Sequence, residues 1–335
     1  LIDWHHPSYI IDGQNHPRRG ELNMKSEVDG MLAQAGGDEG KTVDTNVDPN
    51  EGRDQRKYIE YLHGQVKELL SEFGDVDILW FDFSWNTEKS RENGLDLTLG
   101  KGREAWDSPT LYKMIRSMQP KIILNDRLDL PDEPGAWDVK TPEQTQPAGW
   151  VTVDGQPVVW EACQTFSGSW GYYRDEFTWR SVKQLVQTLI DCVSKGGNLL
   201  LNVGPTGRGE FDARALDRLE GIGEWMKRHS RSIYGCTQAP AEFKTPEDCR
   251  LTYNPDTNRL YVHILSWPYQ HLRLSGAFTE RVEYAQLLND ASEVGMRASA
   301  WHAKQLGVDE NTLILNLPQT EPDVTVPVVE LFLKD

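Results

Sequence analysis

A carboxylate stands at the end of a short apolar run in residues 75–85, DVDILWFDFSW. Asp82 closes this run, and Trp80 and Trp85 flank it. Acidic residues are depleted from strands and are rarely buried without a partner, so an acid in this position needs a reason. In a sheet of parallel strands, the carboxyl end of a strand faces the active-site mouth. Asp82 is therefore predicted to be a reactive carboxylate, and the alternatives are a cap for the next segment or the partner of a buried arginine.

Three other patterns in the sequence carry little chemistry. His5 and His6 are adjacent, so on a strand they would point to opposite faces and could not both ligate one metal ion. The run at 196–211, GGNLLLNVGPTGRGEF, lacks the GK[ST] of a phosphate-binding loop. Ser167 and Ser169 do not form the nucleophile elbow of serine hydrolases. We therefore expect no metal and no organic cofactor.

The composition favours an uncharged partner. The 335-residue chain has a formal net charge of −17, which argues against nucleic acid or an anionic membrane surface. Its 12 tryptophans exceed what a core of this size needs, and surplus indole is a common surface for stacking sugars. The sequence has no run of about 18 apolar residues, so no membrane span is expected. Four cysteines lack metal-type spacing and are predicted to be mostly free and structural.

The elements that must position Asp82 follow an alternating pattern. Residues 1 to about 235 alternate short apolar strands with amphipathic helices, which is typical of βα units around parallel strands. Four helices are predicted to begin at or next to Asp54, Ser108, Ser181 and Asp212. Helical spacing predicts an apolar face in the first of them at Tyr58, Leu62, Val66, Leu69 and Phe73, and in the last at Leu216, Leu219, Ile222 and Met226. The predicted strands lie at residues 1–4, 78–83, 122–125, 158–160 and 199–203.

A closed βα barrel needs eight strands, and this pattern supplies five. The fold class is therefore predicted to be α/β, a (β/α)8-like TIM barrel that lacks its first βα units. A smaller open sheet would explain the strand count but not a chain that opens within a strand at Leu1. The polar stretch between His16 and Gln55 is too long for an ordinary connection and is predicted to be an insertion over the mouth.

The pattern changes near Cys236. Alternating apolar strands, separated by turn signals such as NPDTN, predict a small antiparallel β-sandwich over residues 236–335. The chain is thus expected to hold two domains, a catalytic barrel portion at 1–235 and this sandwich. The sandwich sequence has no clustered acid pair, so we expect it to pack against the barrel or contact sugar.

Several segments of the first domain together resemble one enzyme family. In order, they are DWHHPSY at 3–9, WFDFSW at 80–85, NDR at 125–127, TPEQ at 141–144, WEACQTFSGSWGYY at 160–173 and the run at 196–211. They resemble the catalytic region of the retaining α-L-fucosidase family of glycoside hydrolases. The resemblance implies a secreted or periplasmic exo-enzyme acting on fucosylated oligosaccharides or glycoconjugates. It leaves open whether the protein is a homo-oligomer.

The resemblance also implies roles for two carboxylates. Asp82 matches the family's nucleophile, which forms a covalent glycosyl-enzyme while a second carboxyl protonates the leaving oxygen and then activates water. Glu143 in TPEQ matches the segment that carries this acid/base and is preferred, with Glu161 in WEAC as the alternative. In a retaining enzyme the two carboxyl groups lie about 5 to 5.5 Å apart. The remaining acidic candidates are Asp126, Glu133 and Asp138.

Sugar contacts are expected around the nucleophile. Arg127 in NDR resembles the family's sugar-contacting arginine, and a guanidinium fork suits vicinal hydroxyls. Its alternative is a salt bridge to Asp82 or Asp126, which would also keep the nucleophile ionised. Trp80 and Trp85 are predicted to lie against the apolar face of a 6-deoxy sugar, or else to be plain core. The further expected sugar contacts are His5 and Trp170.

Three functions are compatible with these residues. The first is a retaining exo-α-L-fucosidase. A non-catalytic carbohydrate-binding relative or an inactive fragment would keep the aromatic pocket without a productive carboxyl pair. A glycosidase specific for another sugar is the third, because one barrel architecture hosts many chemistries. A barrel without its first strands would lose part of its donor pocket, so activity of these 335 residues is a separate question from family membership.

Overall fold

A computed structural model describes residues 54–82, 102–298 and 311–334. The chain divides into two compact units, of which the first ends at Lys140 and the second begins at Thr141. Several predictions fall outside the described residues, namely the strand at 1–4, most of the insertion at 16–55, and the roles of His5, His6 and Trp85.

The first unit combines helices with a short parallel strand pair. Its elements in chain order are α1 (Gln55–Glu72), β1 (Ile78–Leu79), α2 (Arg103–Trp106), α3 (Ser108–Met118) and β2 (Ile123–Leu124). Strands β1 and β2 pair in parallel, with Ile78 opposite Ile123. Both strands are shorter than predicted. Phe81, Ile122 and Leu124 are buried in one core with α1 and α3, whereas Ile78 and Ile123 are exposed.

The second unit opens with further βα structure. Its first elements are β3 (Thr152–Val153), β4 (Gln156–Pro157), β5 (Glu161–Thr165), α4 (Val182–Ser194), β6 (Asn198–Asn202) and α5 (Ala213–His229). Strands β3 and β4 form an antiparallel hairpin. Strands β5 and β6 pair in parallel, with Glu161 opposite Asn198 and Thr165 opposite Asn202. The parallel pair joined by a helix is the βα unit that the sequence predicts.

The strands after α5 form two antiparallel sheets. The larger sheet has the order β11 (Val282–Leu287), β14 (Val328–Leu333), β9 (Arg259–Ile264), β8 (Cys249–Asn254) and β7 (Thr237–Gln238). The smaller has the order β10 (His271–Leu274), β13 (Leu313–Asn316) and β12 (Gly295–Ala298). Apolar side chains of both sheets, such as Leu274 and Leu331, belong to one buried core. This is the β-sandwich that the sequence predicts.

The larger sheet is covered on both faces. Val328 of β14 belongs to a cluster with Ile190 of α4 and Trp225 of α5, while Val329 and Leu331 belong to the sandwich core. The Trp225 indole also donates a hydrogen bond from Nε1 to the Val326 carbonyl at 2.8 Å. The sequence of β14 is therefore mostly apolar and does not alternate between apolar and polar residues. The domain boundary near residue 235 stays a prediction, since it falls inside the second unit.

Local capping explains where the predicted helices begin. The Asp54 side chain accepts a hydrogen bond from the backbone N–H of Arg56. Ser181 forms a capping box with Gln184 at the start of α4. Asp212 caps α5 in the same way as Asp54 caps α1. Because these bonds join residues only two or three positions apart, the sequence alone predicts them correctly.

The buried face of α1 differs in part from the predicted one. Leu62, Val66 and Leu70 are buried, whereas Leu69 and Phe73, which the spacing assigned to the core, are exposed. At 3.6 residues per turn, a stripe through Leu62 and Val66 continues at Leu70. In α5 the predicted core residues Leu216 and Leu219 are likewise exposed.

The strand predicted at 158–160 is displaced toward the C-terminus. Trp160 is fully buried, but the parallel ladder runs from Glu161 to Thr165. The residues after Glu161 are all buried, although Gln164 and Thr165 are polar, and that polarity concealed the strand in the sequence. Glu161 is consequently the first residue of β5 rather than the residue that follows a strand.

Gly197 gives a test of this packing. A Cβ at this position would lie 2.2 to 2.5 Å from carbons of the buried Trp160 ring. Gly197→Ala is therefore expected to lower the free energy of unfolding by about 1–3 kcal/mol, measured by urea denaturation. Gly223→Ala in α5 is the matched control, because a Cβ there meets nothing within 4 Å. It should be neutral or stabilising by up to about 1 kcal/mol. Equal stability of the two variants would contradict the steric explanation.

Candidate active site

Asp82 and Arg127 form an ion pair just beyond the ends of β1 and β2. Arg127 Nη1 lies 2.8 Å from Asp82 Oδ1, and the two side chains are 12% and 23% exposed. Because β1 and β2 are parallel, their carboxyl ends lie at one edge and bring these distant positions together. A guanidinium beside a half-buried carboxylate offsets the cost of removing it from water. The salt bridge considered for Arg127 from the sequence is thus confirmed.

Trp80 covers the arginine of this pair. The central carbon of the Arg127 guanidinium lies 4.5 Å from the centre of the Trp80 ring. Stacking of this kind orients the plane of the guanidinium fork. The Trp80 Nε1 atom is buried and has no hydrogen-bond partner among the described residues. The predicted contact between Trp80 and a sugar stays a prediction. The Arg127 guanidinium lies over one face of the Trp80 ring.

Two other acids of the first unit have structural partners. Asp126 Oδ2 lies 3.2 Å from Lys140 Nζ. Asp138 Oδ2 accepts hydrogen bonds from Arg116 at 2.7 Å and from the backbone N–H of Leu124 at 2.8 Å. Asp138 therefore ties α3 to β2, which is a sufficient structural reason for an acid at that position.

The segment that carries Glu143 runs alongside β5. The backbone N–H of Cys163 donates to the Pro142 carbonyl at 3.0 Å, and the N–H of Gln144 donates to the Cys163 carbonyl at 2.9 Å. Glu143 is thereby placed opposite Cys163 in a parallel bridge. Glu161 lies two residues earlier, at the amino end of β5. Glu143 is therefore nearer than Glu161 to the carboxyl edge, where parallel sheets hold their reactive groups.

The carboxyl ends of β5 and β6 hold the loop that presents Trp170. Gln144 Nε2 donates to Thr165 Oγ1 at 3.1 Å, and the Thr165 hydroxyl donates to the Ser167 carbonyl. Asn202 Nδ2 donates to the Trp170 carbonyl at 2.6 Å. The Trp170 backbone is thus fixed to β6, while its side chain is 38% exposed. A backbone held in place and an accessible indole are what a sugar-stacking role needs.

A buried carboxylate that the sequence analysis missed closes the same loop. Glu176 is 8% exposed. Its Oε1 accepts from the N–H and the hydroxyl of Thr178 at 2.7 and 2.6 Å, and its Oε2 accepts from the Ser169 hydroxyl at 2.7 Å. Burial by itself would raise the pKa of this carboxyl, but these hydrogen bonds outweigh it and lower the pKa of Glu176 to about 2. An acid flanked by hydroxyl residues is too common in loops for this role to be predictable.

Helix α5 anchors the loop from outside. Arg214 Nη1 donates to the Glu176 carbonyl at 2.8 Å, and Asp212 pairs with Arg214 at 2.8 Å. The guanidinium groups of Arg214 and Arg218 lie 5.0 and 5.4 Å from the centre of the Trp179 ring. The loop between β5 and α4 is therefore held at both of its ends.

Other chemistries find little support in the part of the chain that the structure describes. Within residues 54–82, 102–298 and 311–334, no group of three or more His, Cys, Asp or Glu side chains could hold a metal ion. In those same ranges, no helix is long and apolar enough to cross a membrane. None of the four cysteines, all of which lie in the described ranges, is part of a disulfide, and burial raises the pKa of Cys192 to about 11 and that of Cys249 to about 12. Thiols this weakly acidic are poor nucleophiles.

Comparison with known proteins identifies one family. Residues 1–231 match the family model described as Alpha-L-fucosidase. Human plasma alpha-L-fucosidase is 29% identical over 168 residues, which are 49% of this chain and 34% of that protein. The solved alpha-L-fucosidase isoenzyme 1 from Paenibacillus thiaminolyticus is 35% identical with a TM-score of 0.75, covering 100% of this chain and 70% of that one. Thermotoga maritima alpha-fucosidase, solved with a mechanism-based inhibitor, is 28% identical with a TM-score of 0.58, covering 82% and 56%. The chain thus spans only part of these relatives' length.

Glu176→Ala tests the buried carboxylate. Loss of the acceptor leaves the donors of Ser169 and Thr178 unsatisfied, at a cost of about 1–3 kcal/mol. We expect faster amide hydrogen exchange across residues 167–178. In the wild type, the lowered pKa of Glu176 means that its stabilisation is present above its ordinary pKa of 4.5 and is lost as the pH falls toward about 2. Loop protection should therefore decline across that pH window.

The matched control for this prediction is Asp175→Asn. Asp175 is the neighbouring acid in the same loop, and it pairs with Arg174 at the surface. Because solvent screens that pair, its loss should not change the exchange rates measurably. Unchanged exchange in Glu176→Ala, or an equal change in Asp175→Asn, would contradict the structural role of Glu176.

Proposed function

This chain belongs to the alpha-L-fucosidase family, and we propose that it performs retaining hydrolysis of α-L-fucosyl linkages in fucosylated oligosaccharides or glycoconjugates. The observation that carries the proposal is the Asp82–Arg127 pair, a carboxylate held at the carboxyl edge of parallel strands. The proposal includes a secreted or periplasmic location and a portion of a (β/α) barrel as the fold of residues 1–235, with the sandwich at 236–335 as a second domain.

In the proposed first step, an oxygen of Asp82 attacks the anomeric carbon of a bound fucose. The bond from that carbon to the leaving oxygen breaks, and the acid/base gives its proton to that oxygen. The product of this step is a glycosyl ester of Asp82. Thermotoga maritima alpha-fucosidase, which is 28% identical to this chain, was solved with a mechanism-based inhibitor, and such an inhibitor is compatible with this step.

In the proposed second step, the acid/base takes a proton from water, and the water oxygen attacks the anomeric carbon. Asp82 then departs as a carboxylate and regains its negative charge. Arg127, 2.8 Å from Asp82 Oδ1, is already in place to stabilise that charge as it develops. The arginine therefore serves both the resting carboxylate and the breakdown of the ester.

We propose Glu143 rather than Glu161 as the acid/base. The argument is the register along β5, in which Glu143 is opposite Cys163 and Glu161 is at the amino end. Retention requires the acid/base within about 5 to 5.5 Å of the nucleophile, and both belong at the carboxyl edge of a barrel. Trp170, exposed beside that edge of β5 and β6, is proposed to contact the sugar.

Asp82→Ala tests the nucleophile. Hydrolysis of an aryl α-L-fucoside should fall on the order of 10³-fold or more in kcat, because no covalent intermediate can form. Sodium azide should restore part of the rate and release fucosyl azide of inverted configuration, since one displacement replaces two. Asp132→Ala, which removes a surface ion pair with Arg103, is the control and should keep wild-type kcat.

Other outcomes separate the competing functions. Wild-type activity retained in Asp82→Ala would remove Asp82 from the nucleophile role. Binding of fucose without hydrolysis by the wild type would favour a carbohydrate-binding relative. Turnover of another aryl glycoside in preference to the fucoside would favour a different sugar specificity.

Glu143→Ala and Glu161→Ala distinguish the two acid/base candidates. The variant that lacks the acid should lose about 10²- to 10⁴-fold in kcat/KM on a substrate with a poor leaving group and far less on an activated aryl fucoside. Azide should then yield a fucosyl azide of retained configuration, because two displacements still occur. This signature in Glu161→Ala and not in Glu143→Ala would reverse our assignment.

A further inference from the structure

We propose that Asn125 is a positioning residue that sets the orientation of Asp82 through the backbone of Phe81. The inference rests on the proposed role of Asp82 and adds a residue that does not itself touch substrate. Asn125 begins the same NDR segment that ends with Arg127. That segment therefore contacts the nucleophile region at two consecutive points, once at Phe81 and once at Asp82.

The contact at Phe81 consists of two opposed hydrogen bonds. Asn125 Oδ1 accepts from the Phe81 N–H at 2.8 Å, and Asn125 Nδ2 donates to the Phe81 carbonyl at 2.7 Å. Asn125 is 1% exposed, and the Phe81 ring is also buried. A carboxamide is the side chain that can pair with the donor and the acceptor of one residue at once. Both peptide planes next to Phe81 are consequently fixed, including the one that leads into Asp82.

The side-chain amide of Asn125 takes the place of backbone hydrogen bonds between the two strands. Backbone pairing of β1 with β2 ends at Leu79 and Leu124, and Asn125 comes directly after this end. The backbone of Asn125 forms a parallel bridge with Val139, so its side chain makes the connection to the Phe81 segment. The backbone of Phe81 is therefore held by a side chain at the point where a continuing strand would have supplied backbone hydrogen bonds. Replacement of that side chain should release Asp82 while the ladder itself remains.

Gln119 offers a matched comparison at the opposite end of β1. Its Oε1 accepts from the Val76 N–H at 2.8 Å, and its Nε2 donates to the carbonyls of Leu70 and Gly74, both at 2.9 Å. It is thus a second side-chain amide that holds the backbone around β1. Since Val76 precedes β1 and Asp82 follows it, loss of Gln119 should cost stability without moving the nucleophile.

The experiment compares Asn125→Leu with Gln119→Met, each close in volume to the amide it replaces. Urea denaturation and steady-state kinetics on an aryl α-L-fucoside are measured for both. Both variants should lose stability, but only Asn125→Leu should lose kcat, on the order of 10- to 10²-fold, because a small misplacement of the attacking oxygen is costly. KM should change little, since the residue is proposed to act on the transition state through Asp82. An equal kcat in the two variants would overturn the inference.

Asn125→Asp adds a second measurement, the pH dependence of activity, which a purely structural role of Asn125 would not change. An ionised aspartate can accept from the Phe81 N–H but cannot donate to its carbonyl, whereas a protonated one can do both. The activity of Asn125→Asp relative to wild type should therefore rise as the pH is lowered. A ratio independent of pH would contradict the proposed pair of hydrogen bonds, and this variant also serves if Asn125→Leu does not fold.

Crystal structures keep this inference separate from the proposed function. If the wild type hydrolyses no fucoside, the proposed function fails, and the Asp82–Arg127 geometry becomes the readout. The Nη1–Oδ1 distance of 2.8 Å should be lost in the Asn125 variant and kept in Gln119→Met. Retention of that distance in both variants would overturn the positioning role of Asn125.

Discussion

A carboxylate that is partly removed from water requires a compensating charge or hydrogen-bond donors, and at Asp82 a compensating charge comes from Arg127. The requirement accounts for much of the first unit. The two residues are 45 positions apart, and only the parallel pairing of β1 and β2 brings the ends of their segments to one edge. Trp80 covers the guanidinium from one side, which limits its freedom and its access to water. The apolar segment that follows β1 can then end on an acid while the neighbouring Phe81 stays buried.

The acids of this protein fall into two kinds according to where they lie. Glu176 accepts hydrogen bonds from Ser169 and Thr178 through both of its carboxylate oxygens. Asp138 accepts hydrogen bonds from a helix arginine and from a strand N–H through a single carboxylate oxygen. Such acids hold backbone segments in place. Asp82 differs in its place, since it and its arginine lie just beyond the carboxyl ends of β1 and β2, where that arginine can also stabilise a departing carboxylate. Position at the carboxyl edge of the parallel strands, more than burial, separates the proposed nucleophile from the structural carboxylates.

Features that depend on neighbours in sequence are predictable here, and those that depend on distant partners are not. The caps at Asp54 and Ser181 are formed within three residues, so the helix starts follow from the sequence. Asp82 is recognisable because an acid interrupts an apolar run. Strand β5 is misplaced because Gln164 is buried by contact with an arginine 16 residues away. Glu176 is missed because its donors lie in a loop without periodicity.

Strand β14 has a consequence for how the protein is made. It lies between β9 and β11 in the larger sheet, and its side chains contribute to the cores on both faces. The other strands of that sheet all precede β14 in the chain. During translation, those strands emerge before β14, so the facing edges of β9 and β11 have no partner and stay available for wrong pairing until residues 328–333 emerge. The larger sheet is thus completed only after its other strands have been synthesised.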